Sequence, residues 1–159
     1  MLNVIFADLI MSQLRPFHVA FPVRDLTTTR HFYEQVIGCS VGRTSDRWID
    51  FNLFGHQITA HLTATSSQPE PTNPVDGHRV PVSHWGVILT LAEWQSLADR
   101  LRQYEVEFLI EPYIRFVGEP GEQATLFVRD PSGNPLEFKA FQNDAQIFAT
   151  ETTALTPHS

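Results

Sequence analysis

Apolar and polar positions alternate across residues 16–23. Phe17, Val19 and Phe21 fall on one side and His18 and Ala20 on the other, the period of a half-buried strand. Asp25 follows as an N-cap, and Phe32, Tyr33, Val36 and Ile37 recur at helical spacing. Together they predict a helix over about residues 26–37, closed by Gly38. Three short strands are expected next, at about 40–45, 48–54 and 57–63, the last two joined through Gly55-His56. The order then returns. Residues 84–89 read as a strand, and Thr90 with Glu93 makes a capping box ahead of Trp94, Leu97, Ala98 and Leu101. Strands are predicted near 107–114, 124–129 and 135–141, with Asp130-Pro-Ser-Gly-Asn134 a strong turn before the last.

Each half therefore reads strand, helix, strand, strand, strand, an α+β pattern of two βαβββ modules. Their boundaries fall at 15–64 and 83–142, separated by a Ser-, Pro- and Asn-rich linker at 65–82. Residues 1–14 read as an extension and 143–159 as a polar tail. Neither module buries much alone at roughly 60 residues, so the two are expected to pack on each other or on another chain.

Composition narrows the function classes. Of 159 residues 42% are hydrophobic, a globular proportion, and 11 basic against 18 acidic side chains leave a formal charge of −7. Lys139 is the only lysine, and the arginines are spread thinly. Without a basic stripe, neither nucleic acid nor an anionic membrane is an expected partner. The apolar run at the start is short and interrupted by Asp8, and no signal-peptide pattern surrounds it, so a cytoplasmic location is expected. One cysteine, Cys39, excludes an intrachain disulfide framework and any thiolate metal cluster.

The candidate chemistry lies in polar residues placed inside strands. His31, His56, His78 and His158 sit on a polar helix face, in a turn, in the linker and in the tail, and carry no signal. His18 and His84 instead open the first strand of each module, while His61 and Glu137 lie in each module's last strand. His61 is 43 residues after His18 and Glu137 is 53 after His84, the difference matching the longer 113–122 connection. These intervals put the four in equivalent places of a duplicated unit. A carboxylate between Leu136 and Phe138 needs a partner or a cation. Two imidazoles and one carboxylate are the facial set of non-haem Fe(II) sites, and nitrogen and oxygen donors equally suit Mn(II), Ni(II) or Zn(II). The alternative is a buried Glu–His ion pair stitching the two halves together.

The paired modules, the two opening histidines and the closing Asp130-Pro-Ser-Gly-Asn-Pro-Leu-Glu137-Phe resemble the vicinal oxygen chelate superfamily over about residues 15–142. That group includes glyoxalase I, the extradiol dioxygenases and the bleomycin-resistance proteins. The resemblance implies a cupped mixed sheet around a metal cleft, and a homodimer. It implies a divalent metal, Fe(II) favoured, on His18, His84 and Glu137, with His61 as acid/base. The activity implied is dioxygenase-like, on a small substrate with two adjacent oxygens. A glyoxalase I-like isomerase or lyase and a metal-free resistance-type binding protein are the alternatives. In one departure, Phe127 stands where the dioxygenases carry a tyrosine, leaving Tyr33 or Tyr113 to approach from elsewhere. In another, His61 stands where glyoxalase I has a glutamate ligand. Phe127 and Arg115 are the expected substrate contacts, Arg115 beside the flexible Gly118-Glu-Pro-Gly121 loop.

Overall fold

The computed structural model describes residues 14–64 and 70–149, so the expectations for residues 1–13, 65–69, 150–159 and His158 lie outside the described residues. The first module runs β1 (His18–Val23), a helix (Leu26–Arg30) that continues as a π-helical stretch (His31–Ile37), β2 (Ser40–Thr44), β3 (Trp48–Leu53) and β4 (His56–Leu62). The second runs β7 (Ile88–Leu89), a helix (Leu91–Gln103), β8 (Phe108–Arg115), β9 (Gln123–Arg129) and β10 (Pro135–Phe141). Between them stands a hairpin, β5 (Thr72–Val75) and β6 (His78–Pro81). The strand orders β1-β4-β3-β2 and β7-β10-β9-β8 repeat one topology, with the first strand parallel to the last and the others antiparallel. The fold is α+β with sheets of mixed orientation.

Local signals placed the helices. Asp25 accepts a hydrogen bond from the Thr28 amide at 2.7 Å, and Gly38 closes the helix at φ 95°. The capping box forms on both sides, from Thr90 N to Glu93 Oε2 at 2.9 Å and from Glu93 N to Thr90 Oγ1 at 3.3 Å. Phe32, Tyr33, Val36 and Ile37 are buried, as are Trp94, Leu97, Ala98 and Leu101.

One core spans both modules. Tyr33 is fully buried, 5.1 Å from Phe51 and 5.4 Å from Phe21 between ring centroids, and Phe21 lies 5.0 Å from Trp85 of the second module. Trp85 therefore takes part in the packing between modules while also lining a cavity beside β1. Arg100 of the second helix donates to the carbonyls of Val36 and Gln35 at the end of the first helix, satisfying groups a helix terminus leaves open. The Asp130 turn adds a second lock: Arg24 N donates to Ser132 Oγ at 3.0 Å, and Asn134 Nδ2 to Pro22 O at 2.9 Å.

Two expectations change. The segment at 65–82 is more than a linker, because residues 72–81 pair as a hairpin through Asp76 and Gly77, both at positive φ. The strand expected at 84–89 survives as a ladder only at Ile88–Leu89, preceded by a lone bridge from Trp85 to Leu136. The cause is Gly86. A Cβ on it would lie 1.6 Å from the carbonyl oxygen of Glu137, so the two backbones approach more closely than a regular ladder allows.

Cys39 is buried, and burial pushes its thiol up to about 12. The folded protein is expected to resist iodoacetamide at pH 8 while the denatured chain alkylates completely. Intact mass reads both, and rapid labelling of the folded chain would contradict the burial.

Candidate functional site

Alternation gives each sheet a helix-facing side and an opposite side. Along β1, Val19, Phe21 and Val23 turn to the core while His18, Ala20 and Pro22 turn away. Along β10, Leu136, Phe138 and Ala140 join the core, so Glu137 and Lys139 project to the other side. Glu137 is nonetheless only 7% exposed, because its neighbours close over it. Its Oε1 accepts from the Thr125 hydroxyl at 2.7 Å and lies 3.5 Å from Lys139 Nζ, and its Oε2 lies 3.0 Å from His84 Nε2. The other ring nitrogen of His84 is 2.6 Å from the carbonyl oxygen of Pro81. Phe127, directly across from Glu137, packs edge-on against the His84 ring at 5.1 Å.

His84 and Glu137 both belong to the second module, so their contact does not stitch the two halves together. The Asp130 turn and Arg100 do that instead. A carbonyl oxygen only accepts, so the contact with Pro81 requires a proton on His84 Nδ1. In the neutral ring, Nε2 then presents a lone pair towards a carboxylate oxygen. Two electron-pair donors facing each other at this spacing suit a shared cation, and an imidazole anchored through its other nitrogen to a backbone carbonyl is how metal-bound histidines are commonly oriented. The pair supplies one nitrogen and one oxygen donor of the kind a divalent metal takes, and among the described residues no third His, Cys, Asp or Glu joins them.

The first module contributes differently. His18 is exposed, and among the described residues no three His, Cys, Asp or Glu side chains gather into a metal-binding group. The structure thus brings His84 to Glu137 but leaves His18 and His61 outside that cluster. The registers also separate His61 from the position matching Glu137. Glu137 stands opposite Gly86, two residues after His84, and β10 keeps that offset from Trp85–Leu136 through Ile88–Lys139. Two residues after His18 is Ala20, whose partner is Thr59. His61 lies opposite Pro22 and Trp48 and corresponds to Lys139. Thr59 donates to Asp50 Oδ1 at 2.7 Å, which echoes Thr125 and Glu137 with the hydroxyl and the carboxylate on exchanged strands.

The hairpin completes the second module's face. Asp76 at its tip accepts from Arg115 Nε at 2.6 Å and from the Tyr113 hydroxyl at 3.1 Å, and the His78 ring lies 5.6 Å from Tyr113. The Arg115 hydrogen bond holds the Asp76 carboxyl below its ordinary value. Desolvation and then the Asp76 contact raise the Tyr113 phenol, which keeps it protonated and able to donate. Arg115 is thus committed to Asp76, with its guanidinium 4.7 Å over Phe116. Of the two tyrosines expected as stand-ins, Tyr33 is buried in the core with its hydroxyl on Asp130, and Tyr113 shares the site face. In the first module, Trp48 pairs with His61 on the outward face. Sequence reasoning missed Asp76, Thr125 and Lys139. The alternation of Tyr113 with Arg115 and of Glu137 with Lys139 was their available signal.

Comparisons with known proteins identify the family and the fold. The sequence model of the glyoxalase/bleomycin resistance protein/dioxygenase superfamily matches residues 15–138. A virulence protein of Salmonella typhimurium is 23% identical over 124 residues, covering 78% of this chain and 82% of that protein. Among solved structures, a glyoxalase/bleomycin resistance protein/dioxygenase from Alicyclobacillus acidocaldarius is similar at a TM-score of 0.71 and 29% identity, over 84% of this chain and 96% of that one. A lactoylglutathione lyase from Agrobacterium tumefaciens is similar at 0.60 and 19% identity, over 87% and 98%, a likeness of fold.

Proposed function

Because the chain belongs to the glyoxalase/bleomycin resistance protein/dioxygenase superfamily, we propose that it is a metal-dependent, dioxygenase-like enzyme acting on a small substrate with two adjacent oxygens. The observation that carries this reading is the facing pair of His84 Nε2 and Glu137 Oε2, 3.0 Å apart, with the opposite ring nitrogen anchored to Pro81. His84 and Glu137 hold the metal, and His18 is the third ligand. Since His18 stands outside the cluster in one chain, a second copy supplies it, which makes the working form a homodimer. A divalent metal held there, Fe(II) in the favoured case and Mn(II), Ni(II) or Zn(II) otherwise, would supply Lewis acidity and, as iron, redox chemistry.

The chain's own groups do the rest. Thr125 holds the Glu137 carboxylate by its Oε1 and leaves Oε2 directed at His84. Phe127 fixes the plane of the His84 ring and offers an apolar wall to a flat substrate. Tyr113 lies on the same face with its hydroxyl proton given to Asp76, so it presents an acceptor oxygen rather than the donor that Phe127 lacks. Arg115 braces that tyrosine through Asp76. His61, four residues along β4 from the partner of His18, moves a proton from the first module's side. A glyoxalase I-like isomerase or lyase is the second reading. It asks for a carboxylate where the register puts Thr59, whose hydroxyl donates to the Asp50 carboxylate.

Elemental analysis of the purified protein is expected to find one divalent metal per chain, and Glu137→Ala to lower that content at least tenfold. Protein without metal under both iron- and zinc-replete growth would overturn the reading in favour of a metal-free binding protein. Oxygen uptake with a panel of catechols separates the two enzyme readings, since an isomerase consumes none.

A further inference from the structure

Beside the His84–Glu137 pair, on the same side of the second sheet, lies a cavity of about 650 Å³ that the proposed chemistry does not use. Phe116, Phe141 and Ile147 wall it, and Gln123 and Lys139 line it from neighbouring strands. The loop and the segment that bound it are joined by a hydrogen bond from Gly121 N to Gln146 Oε1 at 3.2 Å. Two of its groups are incompletely satisfied. Lys139 is half-buried, and its ammonium has three donors but one ion-pair partner among the described residues, Glu137 at 3.5 Å. Gln123 turns its amide nitrogen towards Gly121 O at 3.5 Å, while its Oε1 is buried without a hydrogen-bond partner among the described residues.

These two residues are diagonal neighbours: Lys139 stands opposite Thr125, and Gln123 is two positions further along β9 on the same face. Lysine donates only, and the amide oxygen accepts only. A ligand bridging them must present an acceptor, preferably anionic, next to a donor. Glu119 on the cavity wall and Glu137 behind Lys139 oppose a second negative charge, which disfavours a phosphoryl dianion. We propose that this cavity binds a small 2-hydroxy carboxylic acid. Its carboxylate sits on Lys139, its hydroxyl donates to Gln123 Oε1 once the amide, held by one long contact to Gly121 O, turns that buried oxygen to the cavity, and its apolar remainder lies against Phe116, Phe141 and Ile147. This binding does not depend on the reading of the His84–Glu137 face as a reaction site.

The test uses the full chain after EDTA treatment, so that failure of the metal reading leaves the result intact. Calorimetric titration with sodium mandelate is expected to show at least tenfold tighter binding than phenylacetate, which lacks the hydroxyl, and no binding of benzyl alcohol, which lacks the carboxylate. Lys139→Met should weaken mandelate at least tenfold and Lys139→Arg should restore most of it. Gln123→Leu should bring mandelate down to the level of phenylacetate while leaving phenylacetate unchanged. Equal binding of mandelate and phenylacetate, or unchanged binding to Lys139→Met, overturns the proposal. Should that variant not fold, acetylation of Lys139 in the unmodified protein reads the same contact, because it is the chain's only lysine. Mandelate is then expected to slow its modification at least fivefold, and unprotected labelling overturns the proposal equally.

Discussion

Gly86→Ala is expected to lower the melting temperature by about 6–12 °C and to strip the protein of metal together. The added methyl carbon would lie 1.6 Å from the oxygen and 2.7 Å from the carbon of the Glu137 carbonyl. Both are backbone atoms of a strand held on two sides, so no side-chain rotation relieves the clash. Overpacking that forces a backbone shift costs about 3 kcal/mol, the upper part of the usual range. For a chain of this size each kcal/mol moves the melting temperature by roughly 2–4 °C. The strand that must move carries Glu137 itself, and His84 lies two residues before the glycine. Circular dichroism and elemental analysis of one preparation check both effects. A variant that melts within 2 °C of the parent and keeps its metal would show that the close approach is not what sets the site.

The second large effect belongs to a residue far from the chemistry. Asp130 is 4% exposed and accepts from Ser132 N at 2.8 Å, Asn134 N at 2.9 Å, Asn134 Nδ2 at 2.7 Å and the Tyr33 hydroxyl at 3.1 Å. Asp130→Ala abolishes all four and leaves the Tyr33 hydroxyl without a partner in the core. Hydrogen bonds to an ionised group contribute about 1.5–3 kcal/mol each, and they do not add within one network. A total near 4 kcal/mol, or roughly 8–16 °C in melting temperature, is expected. Tyr33→Phe alone should cost about 1 kcal/mol, and next to nothing once Asp130 is alanine. A thermodynamic cycle over the two substitutions measures that coupling, and strictly additive losses would refute it. The turn also holds Asn134 and Ser132 against Pro22 and Arg24, so its loss loosens the modules from each other.

What could be read from the sequence was local. Asp25, Thr90 with Glu93, and Gly38 act on their own neighbours, and the alternation in β1 and β10 is visible without a partner strand. Hence the βαβββ order, the buried helix faces and the pairing of His84 with Glu137 were all accessible. Register was not, because it depends on how far one strand slides along another. Counting intervals matched His61 to Glu137, while the ladders put Thr59 there and His61 two residues beyond. The hairpin was hidden for a different reason. Its Asp76-Gly77 turn, at φ 49° and 78°, is a strong two-residue signal, but prolines at 71, 74 and 81 gave the segment the composition of a linker. A ribbon of two strands consists only of edges, where proline is tolerated. The shortening of β7 could not be read at all, since one glycine in a strand does not announce which backbone it lets in.

The hairpin also determines where this chain has freedom to change length. Its tip is tied down by side chains, through Asp76, whereas its root is tied by a main-chain atom, the Pro81 carbonyl that holds His84. Residues added at the tip lengthen a turn and leave the root in place. A residue added between Pro81 and His84 rotates that carbonyl away from the ring and frees the imidazole to turn. Three residues of spacing, invisible as a motif, thus act as a ruler, and anyone lengthening this chain between its modules has one end of the hairpin to work with and not the other.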